Sequence, residues 1–181
     1  MTTSSKRKPD AARVRAVLRS RAKELARPAE VEDEDGQLVE IVEFTLGQEH
    51  YAFPSSEIQE VFHLTEITPL PSVPPFVLGV TNVRGRILSV IDIRRLLDFG
   101  DTGLTNLNQA IILQSEGMEL AVLADAVVEV YASDQGKWQT TIPTLTGKRE
   151  EYLKGVTAER VVVLDAEKLL KSEDMLVGSQ K

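Results

Sequence analysis

The chain has no cysteine, few aromatic residues and only two histidines among its 181 residues. Without cysteine, disulfides, thiolate zinc sites and a cysteine nucleophile are excluded, and a reducing compartment such as the cytoplasm is expected. An aromatic content of 5% is too low for a platform that stacks nucleic-acid bases. No apolar run approaches the roughly 18 residues of a membrane-spanning helix. We therefore expect a cytoplasmic protein that does not bind nucleic acid or insert directly into a membrane.

The sequence contains none of the common catalytic or phosphate-binding motifs. It has no G-x-G-x-x-G loop, no G-x-x-x-x-G-K-[ST] loop and no G-x-S-x-G nucleophile turn. His50 and His63 show no metal-ligand spacing, so we interpret them as hydrogen-bonded or solvated side chains. Asp92 and Asp165 each follow an apolar strand and precede a predicted helix, which favours helix capping over catalysis. We expect no enzyme activity, no cofactor and no metal site.

The net charge of −7 is distributed unevenly along the chain. Residues 1–27 carry nine Lys or Arg against two acidic residues, a balance of +7, so the remaining residues carry −14. We predict a disordered start over residues 1–9, a basic helix over residues 10–27 that ends at Pro28, and an acidic linker closed by Gly36. A domain this acidic is a poor partner for nucleic-acid phosphates. Solubility is the simplest explanation for the acidic charge, and a basic protein partner is the alternative.

The sequence contains an internal repeat. The segment Phe76–Thr81 returns as Tyr152–Thr157, and Val90–Leu97 is echoed by Val163–Leu170. A repeat of this kind indicates two similar structural units packed together. Each copy contains about five short strand-like segments and too few long helices for parallel β-α-β crossovers. The pattern therefore favours a mainly β protein built from antiparallel barrels.

Alternating apolar and polar residues, separated by turn residues, predict the individual strands. In the first copy they are Leu38–Leu46, His50–Phe53, Glu60–Leu64, Gly79–Val83 and Arg86–Ile91, followed by a helix that reaches Leu97. In the second copy they are Ala110–Gln114, Glu119–Leu123, Val127–Tyr131 and strands around Val156 and Val162, followed by a helix over about Ala166–Lys171. Residues 98–108 are predicted to connect the two copies.

The two copies differ in length between their last two strands. The first copy has residues 82–89 at this point, whereas the second has residues 158–162, three residues fewer. Arg84 and Gly85 form the predicted turn, where glycine permits a conformation closed to other residues and the arginine fork suits a carboxylate. A solvated turn arginine is one interpretation. The other is a fixed arginine, paired with a nearby acid such as Glu60, that shapes a docking surface.

These segments resemble the CheW family of chemotaxis coupling proteins. The matching residues are Ile58–Val61, Pro75–Gly85, Val90–Asp92, Glu151–Gly155 and Glu167–Leu170, and the resemblance runs from about Gln37 to Met175. The combination of G-V-x-N-x-R-G with a following [VI]-[VI]-D is specific to this family. Two mild departures are Val83, where leucine is commoner, and Ser89, where proline is common.

The resemblance implies a fold of two five-stranded SH3-like β-barrels packed around a shared core, with short helices. On this basis we expect a basic extension and acidic linker over residues 1–36, a CheW-like domain over residues 37–176 and a C-terminal tail over residues 177–181. The domain would consist of two intertwined barrel subdomains, each built mainly from one repeat. The implied function is that of a noncatalytic adaptor that couples methyl-accepting chemoreceptors to a CheA-type histidine autokinase in chemotaxis.

The resemblance also implies particular partners and residues. The expected partners are the regulatory domain of the kinase and the cytoplasmic tip of the chemoreceptor, a helical hairpin that would lie in an apolar groove between the barrels. Such an adaptor would be cytoplasmic, recruited to membrane-associated receptor arrays, and monomeric without its partners. A CheW-like scaffold that regulates a histidine kinase in gliding motility or transcriptional control is the alternative. The implied partner-binding residues are Ile58, Glu60, Ile67, Gly79, Asn82, Arg84, Gly85 and Gly155, with Arg84 and Glu60 as an ion pair and Ile67 in the region that touches the kinase.

Overall fold

The computed structural model of the protein describes residues 37–98, 108–143 and 147–176. The predicted basic helix over residues 10–27, the acidic linker and most of the connection between the copies lie outside these residues. Within the described residues strands dominate, and the longest helix has six residues. The prediction of a mainly β protein with few helices is confirmed.

The strands reproduce the predicted series of five per copy. The first copy contributes β1 (Leu38–Leu46), β2 (Glu49–Pro54), β3 (Ile58–His63), β4 (Val77–Val83) and β5 (Arg86–Ile91). The second copy contributes β6 (Gln109–Ser115), β7 (Met118–Ala124), β8 (Ala126–Asp134), β9 (Leu153–Val156) and β10 (Val162–Leu164). The helices are α1 (Ile93–Leu96), α2 (Lys148–Glu151), α3 (Ala166–Lys171) and α4 (Glu173–Leu176), and short 3₁₀ turns cover Ser55–Glu57 and Gln135–Lys137. Sequence reasoning missed α2 and α4, which have four residues each.

The strands form two five-stranded sheets that exchange hairpins between the copies. Sheet one has the order β8-β1-β2-β10-β9, and sheet two has the order β3-β6-β7-β5-β4. Each sheet therefore combines the first hairpin of one copy with the last three strands of the other copy. When the copies are interchanged, one strand order becomes the other, so the sequence repeat is matched by a repeat in three dimensions.

The exchange introduces parallel pairing, which the sequence analysis did not predict. β2 pairs in parallel with β10, with Tyr51 opposite Val162, and β5 pairs in parallel with β7, with Val90 opposite Ala121. The other ladders between the named strands are antiparallel. The expectation of antiparallel pairing is thus wrong at one junction in each sheet. The paired strands there come from distant segments, so no tight hairpin turn fixes their relative direction.

Each sheet buries a cluster of apolar side chains on one face. In sheet one the buried members are Ile41, Ala52, Trp138, Val161 and Val163. In sheet two there are two such clusters, one with Val90, Ala110, Ala121 and Leu123 and the other with Val83, Leu88 and Ile112. Phe62 on edge strand β3 packs against the cluster that holds Val83 of the opposite edge strand β4, so sheet two is curved enough to bring its edges together. The SH3-like barrel implied by the resemblance stays a prediction.

The other faces of the two sheets supply a shared core. Phe44 of β1 stacks on Tyr51 and Phe53 of β2 at ring-centroid distances of 6.0 and 5.4 Å, and all three side chains are fully buried. β1 contacts β7, and α3 packs its buried Leu169 and Leu170 against β6 and β7. Full burial of each large apolar side chain contributes about 1.5–3 kcal/mol to stability. This core holds the two sheets together.

The predicted roles of Asp92 and Asp165 are confirmed. The Asp92 carboxylate accepts a hydrogen bond from the backbone N–H of Arg94 at 3.0 Å at the start of α1. Asp165 accepts one from the backbone N–H of Lys168 at 2.9 Å at the start of α3. Each cap satisfies a backbone donor that has no partner inside the helix. Both carboxylates therefore have the same structural role, helix capping, at equivalent positions of the two copies.

Candidate functional site

The stretch that the second copy lacks extends the β4–β5 hairpin. The hairpin closes with Val83 opposite Arg86, so Arg84 and Gly85 form a two-residue turn. Their φ values of 52° and 83° are both positive, as a tight hairpin turn matched to the strand twist requires. The Asn82 side chain accepts a hydrogen bond from the Gly85 N–H at 2.8 Å. Asn82, Arg84 and Gly85, which were predicted separately, thus form one structural unit.

The turn carries Arg84 to the buried carboxylate of Glu60 on β3. Arg84 Nη1 lies 3.2 Å from Glu60 Oε2, so the predicted ion pair is present. The two partners have very different surroundings, because the Glu60 side chain is 7% exposed and that of Arg84 is 66% exposed. A buried carboxylate without a counter-ion is strongly destabilising, on the order of 3–5 kcal/mol. Glu60 therefore requires positive charge nearby, whatever else that charge does.

Arg86 supplies a second positive charge at the same place. Its Nη2 lies 3.7 Å from Glu60 Oε1, and its Nη1 donates to both carboxylate oxygens of Glu119 on β7, at 2.6 and 2.7 Å. The same Nη1 lies 3.1 Å from Gln59 Oε1. We call Glu60, Arg84, Arg86 and Glu119 the charged network. It joins β3, the β4–β5 turn and β7.

The charged network lies at one end of the interior of sheet two. Arg86 and the buried Leu88 are two residues apart on β5, and Glu60 and Phe62 are two residues apart on β3, so each pair shares a face of its strand. Leu88 and Phe62 pack in the same apolar cluster. The network therefore covers one end of this apolar cluster. Its ion pairs, rather than backbone hydrogen bonds, join the two edges of the curved sheet.

A second pair of predicted residues, Ile67 and Gly79, meets at the other end of β4. Thr68 forms an isolated bridge with Val80, with N···O distances of 2.8 and 2.9 Å, which places the chain after β3 against β4. A Cβ on Gly79 would lie 2.1 Å from the Thr68 carbonyl oxygen and 2.9 Å from Ile67 Cγ2, and Gly79 has φ 147°. Only glycine permits this approach. Ile67 is half-buried against the apolar cluster of sheet two and keeps part of its surface in solvent.

Gly155 occupies the equivalent place in the second copy. Gln139 bridges Val156 with two backbone hydrogen bonds of 2.9 Å, as Thr68 bridges Val80 in the first copy. A Cβ on Gly155 would lie 2.8 Å from Trp138 Cβ. Trp138 is 7% exposed, and its indole N–H donates to Ser133 Oγ at 2.8 Å. Gly79 and Gly155 therefore have a packing role first, and they lie in different sheets.

The last predicted residue, Ile58, begins β3 opposite Leu113. It is half-buried, and the register shifts between Ile58 and Glu60, so Gln59 forms a bulge. The structure thus brings Glu60, Asn82, Arg84 and Gly85 together, with Ile58 two residues from Glu60 along the strand. Ile67 and Gly79 belong to a separate contact on sheet two, where a bridging segment packs closely against a glycine of a strand; we call such a contact a joint. Gly155 and Trp138 form the equivalent joint on sheet one.

Sequence reasoning missed three residues of this region. Arg86 and Glu119 complete the charged network, and Ile87 projects from β5 with 64% of its surface exposed. The alternation of inward-facing and outward-facing residues along β5 contained a signal for Arg86 and Ile87. Since Leu88 and Val90 face inward, Arg86 must face inward as a charge that needs a partner, and Ile87 must face outward as an apolar side chain in solvent. Glu119 gave no such signal.

The histidines have the ordinary roles that the sequence suggested. His50 Nδ1 lies 2.6 Å from Glu43 Oε1, and His63 is exposed at the end of β3. Among the described residues, no group of three or more His, Asp or Glu side chains could hold a metal ion. Over residues 37–98, 108–143 and 147–176, no helix is long and apolar enough to cross a membrane.

Comparison with known proteins identifies the family. A model of the CheW-like domain matches residues 40–174, which include the charged network and all eight predicted site residues. The chain belongs to the CheW family. The chemotaxis protein CheW of Klebsiella aerogenes is 33% identical over 141 residues, which cover 75% of this chain and 84% of the relative. The chemotaxis protein CheW of Treponema pallidum is 29% identical over 155 residues, which cover 82% of this chain and 89% of the relative.

A solved CheW structure supports the fold. The crystal structure of the scaffolding protein TtCheW from Thermoanaerobacter tengcongensis is similar with a TM-score of 0.66 and 25% identity. The match covers 81% of this chain and 96% of the scaffolding protein. The family and these three relatives are described as CheW, and no catalytic family is among them. The chain is thus a CheW-like domain with a mainly β fold.

Proposed function

We propose that this CheW-family chain is a noncatalytic adaptor that couples methyl-accepting chemoreceptors to a CheA-type histidine autokinase. The observation that carries the proposal is the extended β4–β5 hairpin on an otherwise repeated frame. Both copies need the shared strands for folding, whereas the extra residues of the first copy project an exposed arginine. A feature present in only one copy is available for a role in binding.

The surface around the hairpin has the composition of a small protein interface. Ile87 pairs across the hairpin with Asn82, so an exposed apolar side chain lies beside an exposed amide. Arg84 adds a charged group at the turn. Interfaces of this kind depend on a few apolar anchors surrounded by polar groups that exclude water. We infer that Ile58, Ile67 and Ile87 supply apolar contacts and that Asn82 and Arg84 supply polar contacts.

The adaptor acts without chemistry of its own. Asp92 and Asp165, whose places in the sequence favoured capping over catalysis, each cap a helix. His50 is engaged with Glu43. We propose that the protein works in the cytoplasm, is monomeric without its partners, and reaches the membrane only through the receptor arrays.

Calorimetric titration of the purified full chain tests the proposal. One arm uses the regulatory domain of the kinase and the other uses a receptor-tip helical hairpin. We expect binding to both with a Kd on the order of 1 µM, about 8 kcal/mol of binding free energy, and a ternary complex when all three are mixed. Binding to the kinase domain alone would indicate a regulator of the array instead, and binding to neither would refute the coupling function.

A CheW-like scaffold for a histidine kinase outside chemotaxis, in gliding motility or transcriptional control, is the second candidate. The basic segment over residues 1–27 favours it, because that segment precedes the matched family region, which begins at residue 40. Deletion of residues 1–35 separates the candidates. Unchanged binding to receptor tip and kinase domain supports the first, whereas a loss of kinase binding alone supports a partner that the basic segment selects.

A further inference from the structure

We propose that Arg84 is an exchangeable arginine, released from Glu60 to an acidic side chain on the kinase's regulatory domain while Arg86 keeps Glu60 neutralised. This inference rests on the proposed adaptor function. Its structural basis is that one buried carboxylate lies near two guanidinium groups. Arg84 lies 3.2 Å from Glu60 and is 66% exposed, whereas Arg86 lies 3.7 Å away and is 39% exposed.

The two arginines are held very differently. Arg86 donates to both oxygens of Glu119 within 2.7 Å and lies 3.1 Å from Gln59, so several partners fix its guanidinium. Arg84 forms an ion pair with Glu60 from an exposed turn, and no second ion pair holds it among the described residues. The Arg84 end of this pair is solvent-exposed, and interactions of exposed charges are weakened by solvent and screened by salt. Arg84 can therefore leave Glu60 at small cost, and Arg86 cannot leave without exposing two carboxylates to each other.

Glu60 makes the exchange depend on Arg86. A carboxylate that is 7% exposed cannot be left without a counter-ion, so a single arginine partner would be locked in place. With Arg86 beside it, Glu60 stays compensated when Arg84 turns away. Arg86 then serves Glu60 and Glu119 together, and the positive charge of Arg84 becomes available to a partner.

The position of Arg84 favours a folded domain as the occupant. The guanidinium projects from an exposed hairpin turn and not from an apolar groove of the kind that a helical hairpin needs. A carboxylate at the rim of a globular domain suits a projecting arginine fork. We therefore assign the acidic group to the kinase domain, and the receptor tip becomes the second arm of the test.

Four variants of the full chain, each titrated against both partners, test the exchange. Arg84→Gln should weaken kinase-domain binding about tenfold, which corresponds to 1.4 kcal/mol, and should lower Tm by less than about 3 °C. Glu60→Gln frees Arg84 and keeps its charge, so its affinity should equal or exceed that of the wild type. Arg86→Gln leaves Arg84 as the main counter-ion of Glu60 and should weaken binding although Arg84 is unchanged. Lys137→Gln, which removes an exposed lysine paired with Asp134, is the matched control and should change neither the affinity for the kinase domain nor Tm.

The double variant Glu60→Gln/Arg86→Gln provides the decisive rescue. It removes the carboxylate that retains Arg84, so binding should return to within about threefold of the wild type. If Glu60→Gln instead weakens binding as much as Arg84→Gln, the intact ion pair shapes the surface and the exchange is refuted. A loss confined to the receptor-tip arm would overturn the assignment to the kinase.

Salt dependence tests the same point without any change at Glu60. Wild-type affinity for the kinase domain should fall as salt rises from low to physiological concentration, and Arg84→Gln should reduce that dependence. An identical salt dependence for both proteins would contradict transfer of the Arg84 charge to a carboxylate. If the wild type binds neither partner, the proposed function fails and not the exchange alone.

Discussion

The two copies of the repeat use the same joint for different purposes. In the second copy, Gly155 lets Trp138 reach a buried position, so the joint is closed to solvent. In the first copy, Gly79 lets the chain at Ile67 approach β4, and Ile67 keeps part of its surface in solvent. The strand connection beyond each joint differs as well, since the first copy has the longer hairpin between its last two strands, and its turn residue Arg84 pairs with the buried Glu60. The second copy is thus specialised for packing, and the first copy leaves a surface open.

Replacement of Trp138 by alanine should have the largest effect on stability, and it tests the packing role assigned to the second copy. Loss of the buried indole leaves a cavity in the cluster of sheet one, which should cost about 3–5 kcal/mol of unfolding free energy. The equivalent change Ile67→Ala removes a half-buried side chain and should cost about 1 kcal/mol. Urea unfolding of both variants measures the difference. Equal losses would mean that the two joints have the same role.

Gly79→Ala should have the next largest effect. The new Cβ would lie 2.1 Å from the Thr68 carbonyl oxygen, which is backbone and cannot rotate away. We expect a loss of about 3 kcal/mol, at the upper end of the usual cost of overpacking. Gly155→Ala is the matched variant and should cost less, because its Cβ would meet Trp138 Cβ at 2.8 Å. A smaller loss for Gly79→Ala than for Gly155→Ala in urea unfolding would contradict the geometry.

Gly85→Val tests the turn by itself. Among the described residues, no atom outside the two adjacent residues of the chain lies within 4 Å of the position that a Cβ would take, so any cost arises from φ 83° and not from a clash. A β-branched residue in this conformation should lose about 1–2 kcal/mol and weaken partner binding by displacing Arg84. Gly85→Asn is the control, since asparagine tolerates positive φ, and it should stay close to the wild type in both thermal unfolding and titration.

Arg84→Ala should have the smallest effect on stability and a clear effect on coupling. Arg84 is the exposed partner of the pair with Glu60, so its removal should cost about 1 kcal/mol or less, because Arg86 remains near Glu60. Unfolding free energy should therefore hardly change, while kinase activation in a reconstituted mixture with receptor should fall. If thermal unfolding shows that the variant has lost its fold, the docking role of Arg84 is unsupported.

Local patterns predicted much of the fold. β1 and β5 have the predicted bounds, and the two capping aspartates were found from their place between strand and helix. The exchange of hairpins between the copies was not visible in the sequence. Strand periodicity reports which face of a strand is buried and not which strand lies beside it. The parallel pairing of β5 with β7 is therefore a property of the whole chain.

Part of the geometry around the candidate site was predicted in the same way, and the partner-binding role of its residues stays a prediction. Arg84, Gly85 and Glu60 were found because one copy is longer there and because an arginine at a turn suggests an acidic partner. Glu119 could not be found, since its contact with Arg86 depends on β7 lying beside β5, which no short motif encodes. The packing role of Gly79 also needed the structure, because the approach of Thr68 is made by a loop distant in sequence from β4.

The exchange of hairpins also determines when the protein can fold as it is synthesised. β2 ends at Pro54, and its parallel partner β10 ends at Leu164, so 110 residues separate their emergence from the ribosome. At about 5–20 residues per second, the outer edge of β2 stays without its partner β10 for roughly 5–20 s. Contacts this distant in sequence also slow folding. A nascent chain of this protein is therefore exposed to aggregation for longer than two independent modules arranged in tandem would be.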